Sequence, residues 1–319
     1  MAFDPIFLKR FELIEDSGGW KGASIKSWEK TPGYKCFCSS FVSSLSALFC
    51  SPPNSYDDDF VSKKLDRSDL KKLRDVFNVS TFDLCVAILI WGDMHRRHAK
   101  SFLDHRDCWL PVAEDLRKGN IEPEEAYRRF FELSVSGKMP GCGPAYYTKL
   151  IFFLPASGSA RGVIMDQWTS RSINILTRRS VVRLDQAITV AKKNDEKVYA
   201  EFCNLVGELA KLAYGSSSQR NVEKIERRLF SAGGRGKGSW RSLVSSTTQN
   251  GRQHEISEGF VIIFEPHPNS SLVGERRLSS RIFREWEEAK ATADEFCRQG
   301  KVLDIVRIEW DDRKALSPW

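Results

Sequence analysis

The chain has 319 residues, of which 41% are hydrophobic and 29% charged, and a net charge of +7. That balance excludes a disordered chain, a collagen-like fibre and a coiled-coil rod, and leaves room for one large domain or two unequal ones. No apolar run approaches the roughly 20 residues that cross a bilayer.

The opening stretch MAFDPIFLKRFELIED carries acids where a signal peptide needs a basic start and an unbroken apolar block. A cytoplasmic protein with no membrane partner is therefore expected. The 8 cysteines then read as reduced thiols. Cys36 and Cys38 are spaced too tightly for a zinc pair, so neither metal nor cofactor is expected. Charge is uneven: residues 251–319 carry −2 and the preceding part +9. The basic excess suits a polyanionic partner, though charge alone is weak evidence for one.

In chain order, residues 1–59 form a loop-rich segment packed on the body, since residues 17–58 mix Ser, Gly, Pro and aromatics without periodicity. Ser68-Asp-Leu opens a helix. From Ser80 or Thr81 as cap, TFDLCVAILIWGDMHRRHAKSFL reads as one buried helix. Pro123-Glu-Glu begins the next, which ends near Val135, and a further helix starts near Pro144. Another begins at Gln167, and the stretches Asp185 to Lys193, Lys197 to Ala213 and Asn221 to Phe230 continue the helical reading. The pattern then changes. Gly259 to Glu265 is a compact β-rich run, Ser280 to Gln299 an amphipathic helix, and Val302 to Trp310 alternates with period two. The expected fold is mainly α: a two-lobed helical body over residues 60–245, followed by a small α+β strand–helix–strand domain over 256–319.

Chemistry concentrates between Lys138 and Leu176. Met139-Pro140-Gly141-Cys142-Gly143 separates two helices by a tight turn, making a helical hairpin. Gly141 and Gly143 allow close backbone approach, and the free N–H groups at the second helix favour an anion such as a phosphate. By themselves these features also describe an ordinary helical turn. About twenty residues later an apolar run, Val163-Ile-Met165, leads into Asp166 and another helix.

In order and spacing this stretch resembles the helix-hairpin-helix DNA glycosylases of the endonuclease III and 8-oxoguanine glycosylase superfamily. GPAYYTKLIFFL, IMDQWTSRSINIL, ERRLFS and a later SWR are more closely similar to a bacterial family with the 8-oxoguanine glycosylase fold, over roughly residues 60 to 245. The resemblance implies a base-excising enzyme of the base-excision repair type. Breaking a glycosidic bond builds positive charge at C1′, and Asp166 matches the superfamily's essential aspartate, placed to stabilise that charge. Asp166 also fits the cap of the helix at Gln167, and the two roles are compatible.

Bifunctional members attack with a lysine two residues after the second hairpin glycine; here that position is Ala145. Lys149 lies one helical turn further on the same face and is the candidate nucleophile. Its alternatives are a phosphate or solvent contact, with Asp166 activating water alone. Tyr146, Tyr147, Trp168, Trp91 and Asp93 are candidates to hold an extruded base. Because Tyr146 and Tyr147 are neighbours, only one is expected to face the site. His95 and His98 are read as one face of a basic patch with Arg96, Arg97 and Lys100.

Double-stranded DNA is the expected partner, gripped along its backbone by Gly141, Gly143, Arg171, Arg228, Arg235, Lys237 and Arg241, with Arg220, Lys224 and Arg227 adding to the local charge. A solvated, mobile loop is the competing reading of the GGRGKGSW stretch. The expected substrate is an oxidised purine or a hypermodified base of the kind phages carry; the latter would make phage defence the role. The rival from another class is a non-catalytic DNA-binding module that recruits a protein partner through the C-terminal domain.

Overall fold

The structure, a computed structural model, describes residues 3–12, 22–28, 64–75, 79–159, 162–185, 189–230, 240–241, 243–245, 258–266, 277–278, 290–291, 293–294 and 300–309. The chain divides into two compact units, residues 17–174 with 179–234, and residues 1–16 with 175–178 and 235–319. The protein is mainly helical. Helix α1 (Pro5–Glu12) belongs to the smaller unit.

The larger unit runs through α2 (Arg67–Asp75), α3 (Thr81–Trp91), α4 (Arg96–Asp104), α5 (Arg106–Lys118), α6 (Pro123–Val135), α7 (Pro144–Phe153) and most of α8 (Gln167–Thr177), whose residues from Ile175 on belong to the smaller unit. A two-stranded ladder of β1 (Leu184–Asp185) and β2 (Thr189–Val190) follows, then α9 (Glu196–Tyr214) and α10 (Gln219–Phe230).

Helix α3 is the centre of this unit, packed against α2, α5 and α7. Ser80 caps it, its Oγ accepting from Asp83 N at 3.1 Å and donating to Asp83 Oδ2 at 2.7 Å. Every residue from Asp83 to Trp91 is buried. An all-round apolar sequence suits a helix enclosed on every side. Helix α6 packs against α5, α7 and α9, and α9 against α10.

Two expectations are corrected. The single helix expected from Thr81 to Leu103 is two. The N–H of Gly92 closes α3 onto Ile88 O at 2.9 Å, and Asp93 takes a left-handed φ of 56°. His95 then caps α4, its Nδ1 accepting from Arg97 N at 3.3 Å. A short polar residue tolerates the left-handed turn that a β-branched one resists. The apolar run ends at Trp91, where the helix stops.

The helix expected over Asp185 to Lys193 is instead the antiparallel ladder, with Leu184 opposite Val190 and Asp185 opposite Thr189. The buried side chain of Asn194 fixes it. Its Oδ1 accepts from Arg183 N, and its Nδ2 donates to Arg183 O and Ala191 O, all within 2.8–2.9 Å. A side chain that supplies the backbone with its partners competes with a helix for them.

In the smaller unit, Asp4 N donates to Leu176 O at 2.6 Å and the Asp4 carboxylate pairs with Arg178 at 2.6 Å. Phe11 meets Trp240 edge to face at 5.3 Å. Strand β3 (Glu258–Pro266) lies between β4 (Arg277–Leu278) and β5 (Gly300–Glu309), antiparallel to both. Phe260 pairs with Arg307 and Ile262 with Ile305, and the register shifts after Ile263. The helix expected over 280–299 lies mostly outside the described residues, as does the loop-rich reading of 17–58. Among the described residues no helix is long and apolar enough to cross a membrane.

Candidate functional site

The hairpin forms between α6 and α7, where Gly143 caps α7 and Pro144 takes its first position. Proline costs no hydrogen bond there, because that N–H has no partner within the helix. Gly141 has a φ of +76°, and a Cβ on it would stand 2.8 Å from Cα and Cβ of His98. It is needed twice over, for the turn and for the close approach to α4. A Cβ on Gly143 would meet nothing within 4 Å.

Lys149 lies on the buried side of α7. Helical side chains lean toward the N-terminus, and here Nζ reaches back one turn to donate to Ala145 O at 2.5 Å. The ammonium thus lies against the backbone of Ala145, the residue two after the second hairpin glycine. Tyr146 forms one wall, its ring centre 5.2 Å from Nζ.

Gly92 forms another wall: a Cβ there would stand 2.8 Å from Lys149 Cδ. Burial lowers the pKa of Lys149, and the charges of Asp166 and Glu226 oppose that shift. Burial likewise raises the Tyr146 phenol, with Cys142 and then Asp93 adding to the effect.

The segment into Asp166 is tied to α7 and α9. Gly162 lies flush against the Tyr199 hydroxyl and Ile151, with no room for a side chain. The Tyr199 hydroxyl accepts from Val163 N at 3.0 Å. Thr148, the neighbour of Lys149, accepts from Met165 N at 3.2 Å through Oγ1. Asp166 then caps α8: Oδ1 accepts from Trp168 N at 2.8 Å and Thr169 N at 3.0 Å, while Thr169 Oγ1 accepts from Asp166 N at 2.9 Å. Capping occupies Oδ1. Among the described residues Oδ2 accepts no hydrogen bond, so one carboxylate holds the helix and still offers an oxygen.

Two further groups share this neighbourhood. Glu226 on α10 is 1% exposed and pairs with Arg67, at the start of α2, through an Nη2–Oε2 contact of 2.5 Å. The Arg67 guanidinium carbon lies 5.5 Å from the Trp91 ring centre and 5.1 Å from that of Phe152. Burial pushes the Glu226 carboxyl up to about 7; Arg67 opposes the shift and Asp166 adds to it.

The sequence patterns above single out none of Arg67, Gly92 and Glu226. A signal for Glu226 existed. Val222, Ile225 and Leu229 form the buried stripe of α10, and Glu226 falls inside it.

The remaining expected residues scatter. Trp91 is buried against Phe153 at 5.1 Å, and Asp93 is exposed beside the end of α3. Tyr147 is fully buried between Tyr127 and Phe130, so Tyr146 is the one of the pair that faces Lys149. Trp168 is half-buried, with the Arg171 guanidinium 4.9 Å from its ring. Arg171 and Arg228 are buried rather than displayed on a surface, whereas Arg241 is half-buried. Arg235 and Lys237 lie outside the described residues. His95 and His98 are exposed, and His95 serves as a cap.

A helical body built around a two-helix hairpin, with a lysine and a capping aspartate on the elements that follow, defines a protein of the helix-hairpin-helix class. A family model described as "Putative 8-oxoguanine DNA glycosylase OGG-like protein" matches residues 43–230. That is more than half of the chain, and the chain belongs to this family of DNA glycosylases, whose work entails binding DNA. No curated protein and no solved structure matches it.

Proposed function

We propose that the protein extrudes a damaged or modified base from double-stranded DNA and cleaves its N-glycosidic bond, with Asp166 and Lys149 at the chemistry. The observation that carries this is the return of the Lys149 ammonium to Ala145, within the electrostatic reach of Asp166. Desolvation favours the neutral amine that a nucleophile needs.

In this reading the amine attacks C1′ and the base leaves with the bonding electron pair. The nitrogen loses a proton, and ring opening gives an imine between Lys149 and the sugar. Elimination of the 3′ phosphate from that imine would then cut the strand. If water attacks instead, Asp166 accepts its proton and the backbone stays whole. In both courses the free oxygen of Asp166 faces the positive charge that develops on the sugar.

Lys149, Asp166 and Glu226 are each less than a tenth exposed, so a base reaches them only as the side chains above them move aside. Extrusion into an enclosed pocket entails such movement. Trp91, Tyr146, Trp168 and Asp93 stand as the residues around the base, and Gly141, Gly143, Arg171, Arg228, Arg235, Lys237 and Arg241 as those along the backbone. The substrate is an oxidised purine or a hypermodified phage base. The C-terminal strands form part of an α+β domain over 256–319 appended to the glycosylase body over 60–245, in a cytoplasmic protein.

Modified duplexes incubated with the full chain test this reading. Asp166→Asn keeps the capping oxygen and is expected to lower base release about a thousandfold while duplex binding stays within a few-fold. Undiminished release removes Asp166 from the mechanism. Borohydride is expected to trap a protein–DNA adduct in the wild type and not in Lys149→Ala. An active enzyme that traps nothing uses water, and a non-catalytic DNA-binding module shifts the duplex while leaving every base attached.

A further inference from the structure

The Arg67–Glu226 pair is costly as it stands. Arg67 Nε and Nη1 and both carboxylate oxygens of Glu226 are buried without a hydrogen-bond partner. A single contact between Nη2 and Oε2 joins two groups that together offer five N–H donors and several lone pairs. Buried polar atoms are nearly always satisfied, and a charged one left open costs more than a neutral one. If structure were the only task, an apolar pair of similar volume would serve as well or better.

The pair stands beside the proposed chemistry. Glu226 acts electrostatically on Lys149, and Asp166 on both, and the Trp91 and Phe152 rings flank the guanidinium. Unmet donors on one member and an unmet acceptor on the other describe a surface that takes an edge with an acceptor next to a donor.

We propose that Arg67 and Glu226 read the hydrogen-bonding edge of the extruded base, and that they select a base with an exocyclic amino group over its keto counterpart. This rests on the glycosylase reading above. The amino group donates to Glu226 Oε1, and a ring nitrogen or carbonyl of the base accepts from Arg67. Carboxylates accept from base amino groups in this way, whereas a keto oxygen in the same place sets lone pair against lone pair. Base contacts of this kind account for specificity, while the phosphate contacts do not.

The test uses the full chain and matched duplexes: 8-oxoadenine against 8-oxohypoxanthine, and 5-hydroxymethylcytosine against 5-hydroxymethyluracil. Base release and equilibrium binding are measured on each at pH 8.5, above the value of about 7 to which burial raises Glu226, so that its side chain is a carboxylate. In the pair of which it accepts either member, the wild type is expected to favour the amino base by about ten- to a hundredfold. Glu226→Gln is expected to level or invert that ratio, because a turned amide donates where the carboxylate could only accept.

Loss of activity on both members in equal measure, with the ratio unchanged, would mean a purely structural role and overturn the proposal. So would a wild type that releases or binds keto and amino bases alike. Release from none of the duplexes, with amino bases still bound more tightly, would sink the glycosylase reading and leave the edge-reading pair standing.

Discussion

Two charged clusters in the larger unit use the same residue types and come out oppositely. On the outer face of α6, Glu125 accepts from Arg128 and Arg129 at 2.7–2.8 Å, Arg128 reaches Glu132 at 2.5 Å, and Arg129 pairs with Asp115 at 3.3 Å. Those arginines hold Glu125 down at about 2. Around Lys149 the shifts run the other way: the lysine is pulled down and Glu226 pushed up, in both cases by burial first. The exposed cluster is satisfied and solvated, so its charges rest in their ordinary forms. The enclosed one keeps Glu226 near the point of gaining or losing a proton and disfavours the charged form of Lys149, with bonding capacity unspent. Such groups are ready for chemistry and costly to fold.

The largest effect that can break this contrast is the dependence of stability on pH. The folded value of Glu226, about 7, stands above its ordinary 4.5. Between those values the unfolded chain has released its proton while the native chain holds it, so stability falls as pH rises through that window. The loss attributable to this group is on the order of 3 kcal/mol. Urea unfolding at pH 4.5 and 7.5 is expected to show that component in the wild type and not in Glu226→Gln. Parallel curves for the two proteins would mean the carboxyl is not enclosed as described.

Next in size is Gly92→Ala. Its new Cβ would crowd the Lys149 stem at 2.8 Å and the Ile88 carbonyl at 3.3 Å. The stem is the more flexible neighbour, so the ammonium shifts and the helix stays. Borohydride trapping is expected to slow by ~10- to 100-fold with little change in melting temperature. Trapping at the wild-type rate would mean that the lysine does not pass Gly92 when it works. Smallest of all is Arg128→Ala on the outer face, expected to leave both melting temperature and base release close to wild type, because solvent replaces an exposed ion pair at little cost. A large loss there would erase the distinction between the clusters.

Much of the site was legible in the sequence because its signals are local. Pro144 after a glycine, Asp166 before a helix and the turn between α6 and α7 each follow from the conformation of a few adjacent residues. The step from Ala145 to Lys149 is one turn of helix, which geometry alone supplies. Other features were not legible. Nothing in the local sequence told that Arg171 and Arg228, cations that usually face solvent, are buried. The break at Gly92 and Asp93 falls where the apolar run ends, and a glycine just past the last apolar residue is a stop signal that the reading of one long helix passed over.

What the sequence by itself determined was the helical character, the hairpin and the two candidate groups, since capping, turn chemistry and helical period act over a handful of residues. Only the tertiary structure decided that Arg67, Gly92 and Glu226 join them. These residues come from α2, the end of α3 and α10, far apart in the chain. Their juxtaposition arises from the packing of buried helix faces, and nothing in the local order of residues encodes which distant charge a buried lysine will meet.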